Sequence, residues 1–226
     1  IKDKGTLIVG ITDFEPMDYK DDNGEWIGFD ADMAKLVAEK LGVEVEFIEI
    51  DWDNKILELN NKSIDCVWNG MTLIPEVTSS MACSEPYCNN AQVVVVKADV
   101  ADKYQTADSL SELAFAVEAG SAGEAAAKEF DFPCTAVQSQ SAALMEVAAG
   151  TVDACIIDIT MANAMTGPGT GYENLVIAME LSSEEYGIGF RKDSDLTQKV
   201  NDIMKNLMAD GTLDALAAKY SLTLVK

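Results

Sequence analysis

TLIVGITDFEPMDYKDDNGEWIGFDADMAKLVAEKLGVEVEFIEI, residues 6–50, is the stretch from which the fold is read. Its opening, Thr6 to Ile11, is a short apolar run of the kind a buried strand needs. The next segment is rich in turn formers, and Asp22-Asn23-Gly24 is suited to a hairpin bend. From Phe29 onward Ala31, Ala34, Leu36, Val37 and Leu41 fall at mostly helical spacing, with Asp30 placed to cap the start and Gly42 to stop it. Val43 to Ile50 alternates strictly, which predicts a strand. Beyond it NKILELNNK (54–62) reads as a short helix and SIDCVWNG (63–70) as a third strand. Strand and helix in alternation predict a parallel sheet covered by helices. Ligands of such sheets bind beyond the carboxyl ends of the strands. Asp13, Phe14 and Glu15 follow the first strand, Asp51 and Trp52 the second, and Asn69, Gly70, Met71 and Thr72 close the third, so these loops are expected to converge.

The second half repeats the theme. LAFAVEAGSAGEAAAKEF (113–130) reads as strand, glycine turn and helix. Ser121 and Glu124 have the spacing of a capping box. The open N–H groups at that helix start, around Ser121 and Ala122, suit an anionic group, or are a cap and nothing more. SQSAALMEVAAGTVDACIIDIT (139–160) is helix, turn, strand, and its Val152-Asp153 echoes Ile64-Asp65 of the first half. Asp158 falls at the end of that strand, where a ligand would be met. VVVV (93–96) and YGIGF (186–190) are further strand-like runs, followed by two helices split at Gly211. Two similar α/β lobes are expected, not a repeat array. No cofactor fingerprint appears: GSAG (120–123) lacks both the phosphate-loop lysine and the dinucleotide glycine pattern.

Composition narrows the function. The 226 residues carry 39 acids against 16 bases, a formal net charge of -23. Such a surface repels nucleic acid and anionic membranes, and neither is expected as a partner. No apolar run approaches the roughly 18 residues of a membrane span. The chain opens on Ile1 without methionine, which is expected of a processed or trimmed chain. With no histidine the commonest general base and metal ligand are missing, so zinc or copper chemistry and Ser-His or Cys-His nucleophiles are not expected. Five cysteines, irregularly spaced, argue against a disulfide framework. Cys66 and Cys155 read as small buried hydrophobes, while spacing leaves open whether Cys83 and Cys88 are bridged.

The arrangement resembles the family 3 extracellular solute-binding proteins, the polar amino-acid receptors of bacterial ABC importers. The resemblance runs over nearly the whole chain. Its carriers are residues 5–53, then SIDCVWNGMTLIPE, SEPY, VEAGSAGE, GTVDACIID, EEYGIGFRKDSDL and ADGTLDALAAKY, in the family's order. It implies a two-lobed periplasmic-binding-protein-like fold of type II. Lobe 1 would be residues 1–92 with 187–226, lobe 2 residues 93–186, joined by a two-strand hinge, with the ligand between lobes and closure read by a membrane permease. It also implies a monomer that works without cofactor and lies outside the cytoplasm, in the periplasm or lipid-anchored on the outer face of the cell membrane.

The family's site positions carry over as follows. Phe14 matches an aromatic that stacks on the ligand side chain. Asn69, Gly70 and Thr72 match contacts to its amino and carboxylate groups. Ser121 and Ala122 match the helix start that receives the carboxylate, and Asp158 matches the acid that pairs with the α-ammonium, a strong charge-assisted contact. Asp13 or Glu15 takes the place of an aspartate the family often has near the end of the first strand. One position departs. The family usually has an arginine one or two residues beyond Pro75-Glu76 to grip the carboxylate, where this chain has Val77 and Thr78. No lysine or arginine occurs from Ser63 to Val96, and Arg191 is the only arginine. Losing such a partner costs about 2–5 kcal/mol. Either backbone N–H groups hold the carboxylate, a distant lysine supplies the charge, or the ligand is an organic cation without a carboxylate. Asp13, Glu15 and Asp158 beside Phe14, Trp52 and Trp68 suit the last, unless the tryptophans are core. The expectation is a binding receptor for a small polar amino acid or amine. A dehydratase-like enzyme or a sensory domain on the same scaffold is the lesser alternative.

Overall fold

The computed structural model describes residues 1–226, which divide into two compact units: Ile1–Asn89 with Glu185–Lys226, and Asn90–Glu184. The chain crosses between them at Asn89–Asn90 and at Glu184–Glu185. Both crossings fall inside strands, Cys88–Asn90 and Glu184–Phe190, within three residues of the expected bounds at 92/93 and 186/187. Val93 to Val96 lie wholly in the second unit, and Tyr186 to Phe190 wholly in the first. Backbone pairing decides this, because each run is bonded on both sides to strands of its own sheet.

In chain order the first unit begins β1 (Thr6–Ile11), β2 (Tyr19–Lys20), β3 (Trp26–Ile27), α1 (Phe29–Leu41), β4 (Glu44–Glu49), α2 (Lys55–Asn60), β5 (Cys66–Thr72), α3 (Pro75–Ser80), β6 (Ala82–Cys83) and β7 (Cys88–Asn90). The second unit holds β8 (Gln92–Lys97), α4 (Ala107–Leu110), β9 (Phe115–Glu118), α5 (Ala122–Glu129), β10 (Cys134–Val137), α6 (Gln140–Ala149), β11 (Ala154–Asp158), α7 (Ile159–Met165) and β12 (Leu175–Glu180). The chain then returns to the first unit in β13 (Glu184–Phe190), whose opening residue still belongs to the second, and completes it with α8 (Leu196–Ala209) and α9 (Thr212–Lys219).

The first unit's sheet runs β4-β1-β5-β13-β6, with β7 also on β13. β1 is parallel to β4 and β5, and β13 returns antiparallel to β5. The expected parallel core is therefore present, and β1 ends beside the middle of β5, with Thr12 bonded to Asn69. The Asp22-Asn23-Gly24 bend joins the antiparallel pair β2 and β3. α1 stops at Gly42, which takes the left-handed conformation (φ 72°) that glycine adopts without steric cost. The second unit's sheet runs β10-β9-β11-β8-β12, parallel from β10 to β11 and antiparallel beyond. β9 and β11 are parallel neighbours, so Ser121, shortly after one, and Asp158, at the end of the other, lie toward the same edge.

Each unit has its own core. In the first, Ile50, Trp52, Leu59, Ile64, Val67, Met71, Val77 and Met81 pack together. In the second, Val94, Val96, Phe115, Val117, Phe132, Ala154 and Ile156 do, with Phe115 and Phe132 stacked at 4.8 Å. Each fully buried side chain of this size contributes about 1.5–3 kcal/mol. None of the five cysteines forms a disulfide, and burial pushes the Cys66 and Cys155 thiols well up, as fits core positions. No helix is long and apolar enough to cross a membrane.

Candidate functional site

In the first unit the site is set where β1 ends beside β5. Asn69 ties the two strands: its Oδ1 accepts the Thr12 N–H at 2.8 Å and its Nδ2 donates to Thr12 Oγ1 at 2.7 Å. The Asn69 side chain is thus committed to structure, which spacing alone did not reveal. Gly70 has φ +53°, and a Cβ there would stand 2.6 Å from Phe14 Cε1. The missing side chain is what lets Phe14 lie against β5. Phe14 is further fixed by its N–H to the Asp18 carbonyl (2.7 Å) and by the edge of Tyr186, ring centres 6.5 Å apart. Asp13 and Glu15 flank it, exposed and half-buried respectively. Burial raises the Asp13 carboxyl above its ordinary value, with Lys20 pulling the other way. Burial also raises Glu15, and Asp13 raises it further. Thr72 is buried at the end of β5.

Beneath this loop lie two acids that sequence reasoning misplaced or missed. Asp30 does not cap α1; Gly28 takes that place. The Asp30 side chain turns inward, accepting the Gly70 N–H at 2.5 Å and the Tyr87 hydroxyl at 2.8 and 2.9 Å. The Gly70 N–H is thereby occupied and is not a ligand donor. Burial pushes the Asp30 carboxyl up to about 7 despite those donors. Asp18 is also fully buried, neither carboxyl oxygen has a hydrogen-bond partner, and burial plus the neighbouring Asp30 raise it well above the usual range. The signal for Asp30 was its place in GFDAD, an acid two residues after a glycine with φ 120° and hard against the first apolar turn.

Three expected site residues do not face this loop with their side chains. Trp52 (7% exposed), Met71 and Val77 (1% exposed) belong to the apolar core, and Trp68 is fully buried as well. The reason is local. α3 presents Val77 inward at its buried position, whereas Thr78 is exposed. Of the two positions where the family's arginine is expected, Val77 is thus buried and Thr78 exposed. Arg191 does not replace that arginine: its guanidinium donates to the carbonyls of Leu59 (3.1 Å) and Ile64 (2.6 Å) and reaches Asp65 at 3.3 Å.

In the second unit the site is the edge formed by α5 and β11. The Ser121 hydroxyl caps α5, accepting the Glu124 N–H at 3.1 Å. The capping box is rearranged, since Glu124 returns its carboxylate to the Gly120 N–H at 2.7 Å. Ala122 opens the helix. Gly123 follows, and a Cβ there would sit 2.7 Å from the Ile156 carbonyl, so α5 rests directly on β11. Asp158, nearly fully buried, ends β11; its Oδ1 accepts from Gln92 Nε2 at 2.7 Å and its N–H donates to Gln140 Oε1 at 2.8 Å. Gln92, Glu184 and Gln140 were not anticipated. All three stand at the first position of a strand or helix, where neither period nor motif marks a residue.

Residues 7–223 match the model of the bacterial extracellular solute-binding proteins, family 3. The chain is 31% identical to the arginine-binding extracellular protein ArtP of Bacillus subtilis (strain 168), an alignment spanning 96% of this chain and 86% of that one. A mutant of ArgBP from T. maritima superposes with a TM-score of 0.91 at 34% identity, covering 97% and 96% of the two chains. The ancestral amino acid-binding protein AncCDT-1, a precursor of cyclohexadienyl dehydratase, superposes with a TM-score of 0.89 at 35% identity, covering 97% of each.

Proposed function

The chain belongs to the bacterial extracellular solute-binding proteins of family 3, and on that premise we propose that it is the extracytoplasmic receptor of an ABC importer, binding without turnover an amino acid whose side chain carries a positive charge. The observation that carries the charge preference is the pair Asp13 and Glu15 flanking Phe14. Both carboxyls are raised by burial, and they repel one another. A cation beside them relieves that repulsion, and an aromatic face adds to its attraction. The similarity to arginine-binding proteins points the same way. Asp158 takes the α-ammonium, and the α5 start, with Ser121 and Ala122, takes the carboxylate through backbone N–H groups. The permease of the importer is the proposed macromolecular partner.

A second reading has its own support. The only arginine is committed to Asp65 and two carbonyls, and buried Val77 with exposed Thr78 occupies the stretch where the resemblance leads one to expect a carboxylate-gripping arginine. A cation without a carboxylate, such as a decarboxylated amino acid, fits that departure. The two readings separate in one thermal-shift and calorimetry panel of arginine, lysine, ornithine, histidine, cystine and glutamine beside the amines of the first three. A ligand at about 100 times its Kd adds roughly 2.7 kcal/mol, a shift of about 5–10 °C for a chain this size. The expected result is a shift with the cationic amino acids and little with the amines. A shift with the amines alone replaces the first reading by the second, and none with any compound overturns both. The acids also set the pH sign. A bound cation favours ionised Asp13 and Glu15, so affinity rises with pH through their raised titration range and then levels.

A further inference from the structure

The Asp158 carboxylate is held by a residue that the site residues above do not include. Gln92, the first residue of β8, is 1% exposed. Its Nε2 donates to Asp158 Oδ1 at 2.7 Å and to Glu184 Oε1 at 2.6 Å. A primary amide has two N–H groups, so each carboxylate receives one. The amide oxygen has no partner and points at the first turn of α5, 3.1 Å from where a Cβ on Gly123 would stand. Turned over, the amide would set its oxygen against two anions, so its orientation is determined. Glu184 is held again by Asn90 Nδ2 at 2.8 Å and by Ser182 Oγ at 3.2 Å, and the Gln92 N–H donates to Ser182 Oγ at 2.9 Å. The charged groups facing Gln92 are thus Asp158 at the end of β11 and Glu184 at the start of β13. On α5, Glu124 is turned to the Gly120 N–H and to Lys128.

We infer that Gln92 is the positioning residue of the ammonium acceptor: a single amide sets the plane of the Asp158 carboxylate and ties it to Glu184, the last residue before the chain leaves the second unit. The ligand role in this inference rests on the function proposed above. Its physical content is that a buried carboxylate, Asp158, and a partly buried one, Glu184, are kept side by side by a donor with two hydrogens and no charge. Leucine at this position supplies none. Glutamate supplies at most one, and only while protonated, because ionised it would be a third carboxylate among two. The ligand's ammonium then meets a carboxylate whose direction was fixed before binding, which reduces the ordering that binding requires.

The full-length Gln92→Glu variant tests this, with L-arginine as probe, by calorimetry and by unfolding midpoint at pH 5, 6.5 and 8. A carboxyl at 92 beside two carboxylates has a raised pKa in the folded state. Its stabilising protonated form is present at pH 5 and lost toward pH 8, so the midpoint gap to wild type widens as pH rises. Affinity relative to wild type falls with it, by about 30-fold or more at pH 8. The double variant Gln92→Glu with Glu184→Gln removes one of the two like-charge contacts of residue 92 and leaves the other, against Asp158, so at pH 8 it recovers part of the midpoint loss but little of the affinity, which also serves if the single variant folds poorly. A ratio to wild type that is the same at all three pH values, or a double variant that recovers none of the midpoint loss, overturns the inference. Wild-type protein that binds no amino acid overturns the proposed function and the ligand role with it. In that event the unfolding midpoints still decide whether Gln92 bridges the two acids.

Discussion

Asp13 and Glu15 in the first unit stand beside Phe14 with Lys20 as the nearby countercharge, and below them Asp18 has no hydrogen-bond donor at all. Asp158 in the second unit sits equally deep but accepts from Gln92, and Glu184 accepts from Gln92, Asn90 and Ser182. Both units are acidic where their parallel strands end, yet one leaves its carboxyls short of partners and the other supplies them. A carboxylate with donors already in place is ionised and aimed, which suits the ammonium that every α-amino acid carries. Carboxyls raised by burial and mutual repulsion gain most from a positive charge that arrives with the ligand, which suits discrimination among side chains.

Four measurements break or sharpen this contrast. The largest effect is expected of Asp158→Ala. Removing the acid leaves the ligand ammonium unmet, and arginine affinity by calorimetry should fall by about 30-fold to several thousand-fold. Unchanged affinity would mean that the donor-rich carboxylate of the second unit has no part in binding. Next in size is the pH dependence of stability that the first unit's buried pair imposes. Asp30 titrates near 7 in the folded chain, Asp18 is raised as well, and an unfolded aspartate titrates near 3.9. The folded state therefore keeps protons that the unfolded state has released. The stabilisation is complete below about pH 4 and is lost as pH rises through about 7. Asp18→Asn removes one of the two acids, so its unfolding midpoint should fall less than that of wild type between pH 4 and pH 8. A parallel fall would show that Asp18 is not short of partners. The smallest effect is a gain: Thr78→Arg places a guanidinium on the exposed side of α3 and should tighten binding of carboxylate ligands about fivefold, the equivalent of roughly 1 kcal/mol for a partly exposed pair. Val77→Arg, one residue earlier, should instead lower the urea midpoint sharply, because it buries an unpaired cation in the core.

Much of the fold is legible in the chain because it is written in periods. The alternation in Val43 to Ile50, the helical spacing from Ala31 to Leu41 and the glycine stops each have one reading, and the structure follows them. The backbone of the site is legible too, since the ends of β1, β5 and β11 fall where the apolar runs stop. Side-chain direction is less so. Val77 and Thr78 are neighbours in a helix too short for period to resolve, and only the packing of α3 decides which of them turns inward. Asp30 looks like a cap because caps and buried acids both stand before an apolar turn. Its true partners, Gly70 and Tyr87, lie far along the chain. Gln92 is harder still, because a glutamine before four valines carries no pattern, and its meaning comes from Asp158 and Glu184 arriving from two other strands.

The place of β13 in the first sheet bears on how the molecule is made. It lies between β5 and β6, although almost a hundred residues of another unit separate it from them in the chain. The second unit is continuous and can form as soon as it is synthesised. The first must wait, with β5, every residue of which ends up buried, presenting an unpaired edge in the meantime. The half of the molecule that is written first is finished last. The interval between Asn89 and Glu185 is the window in which the nascent protein is most exposed to wrong pairing.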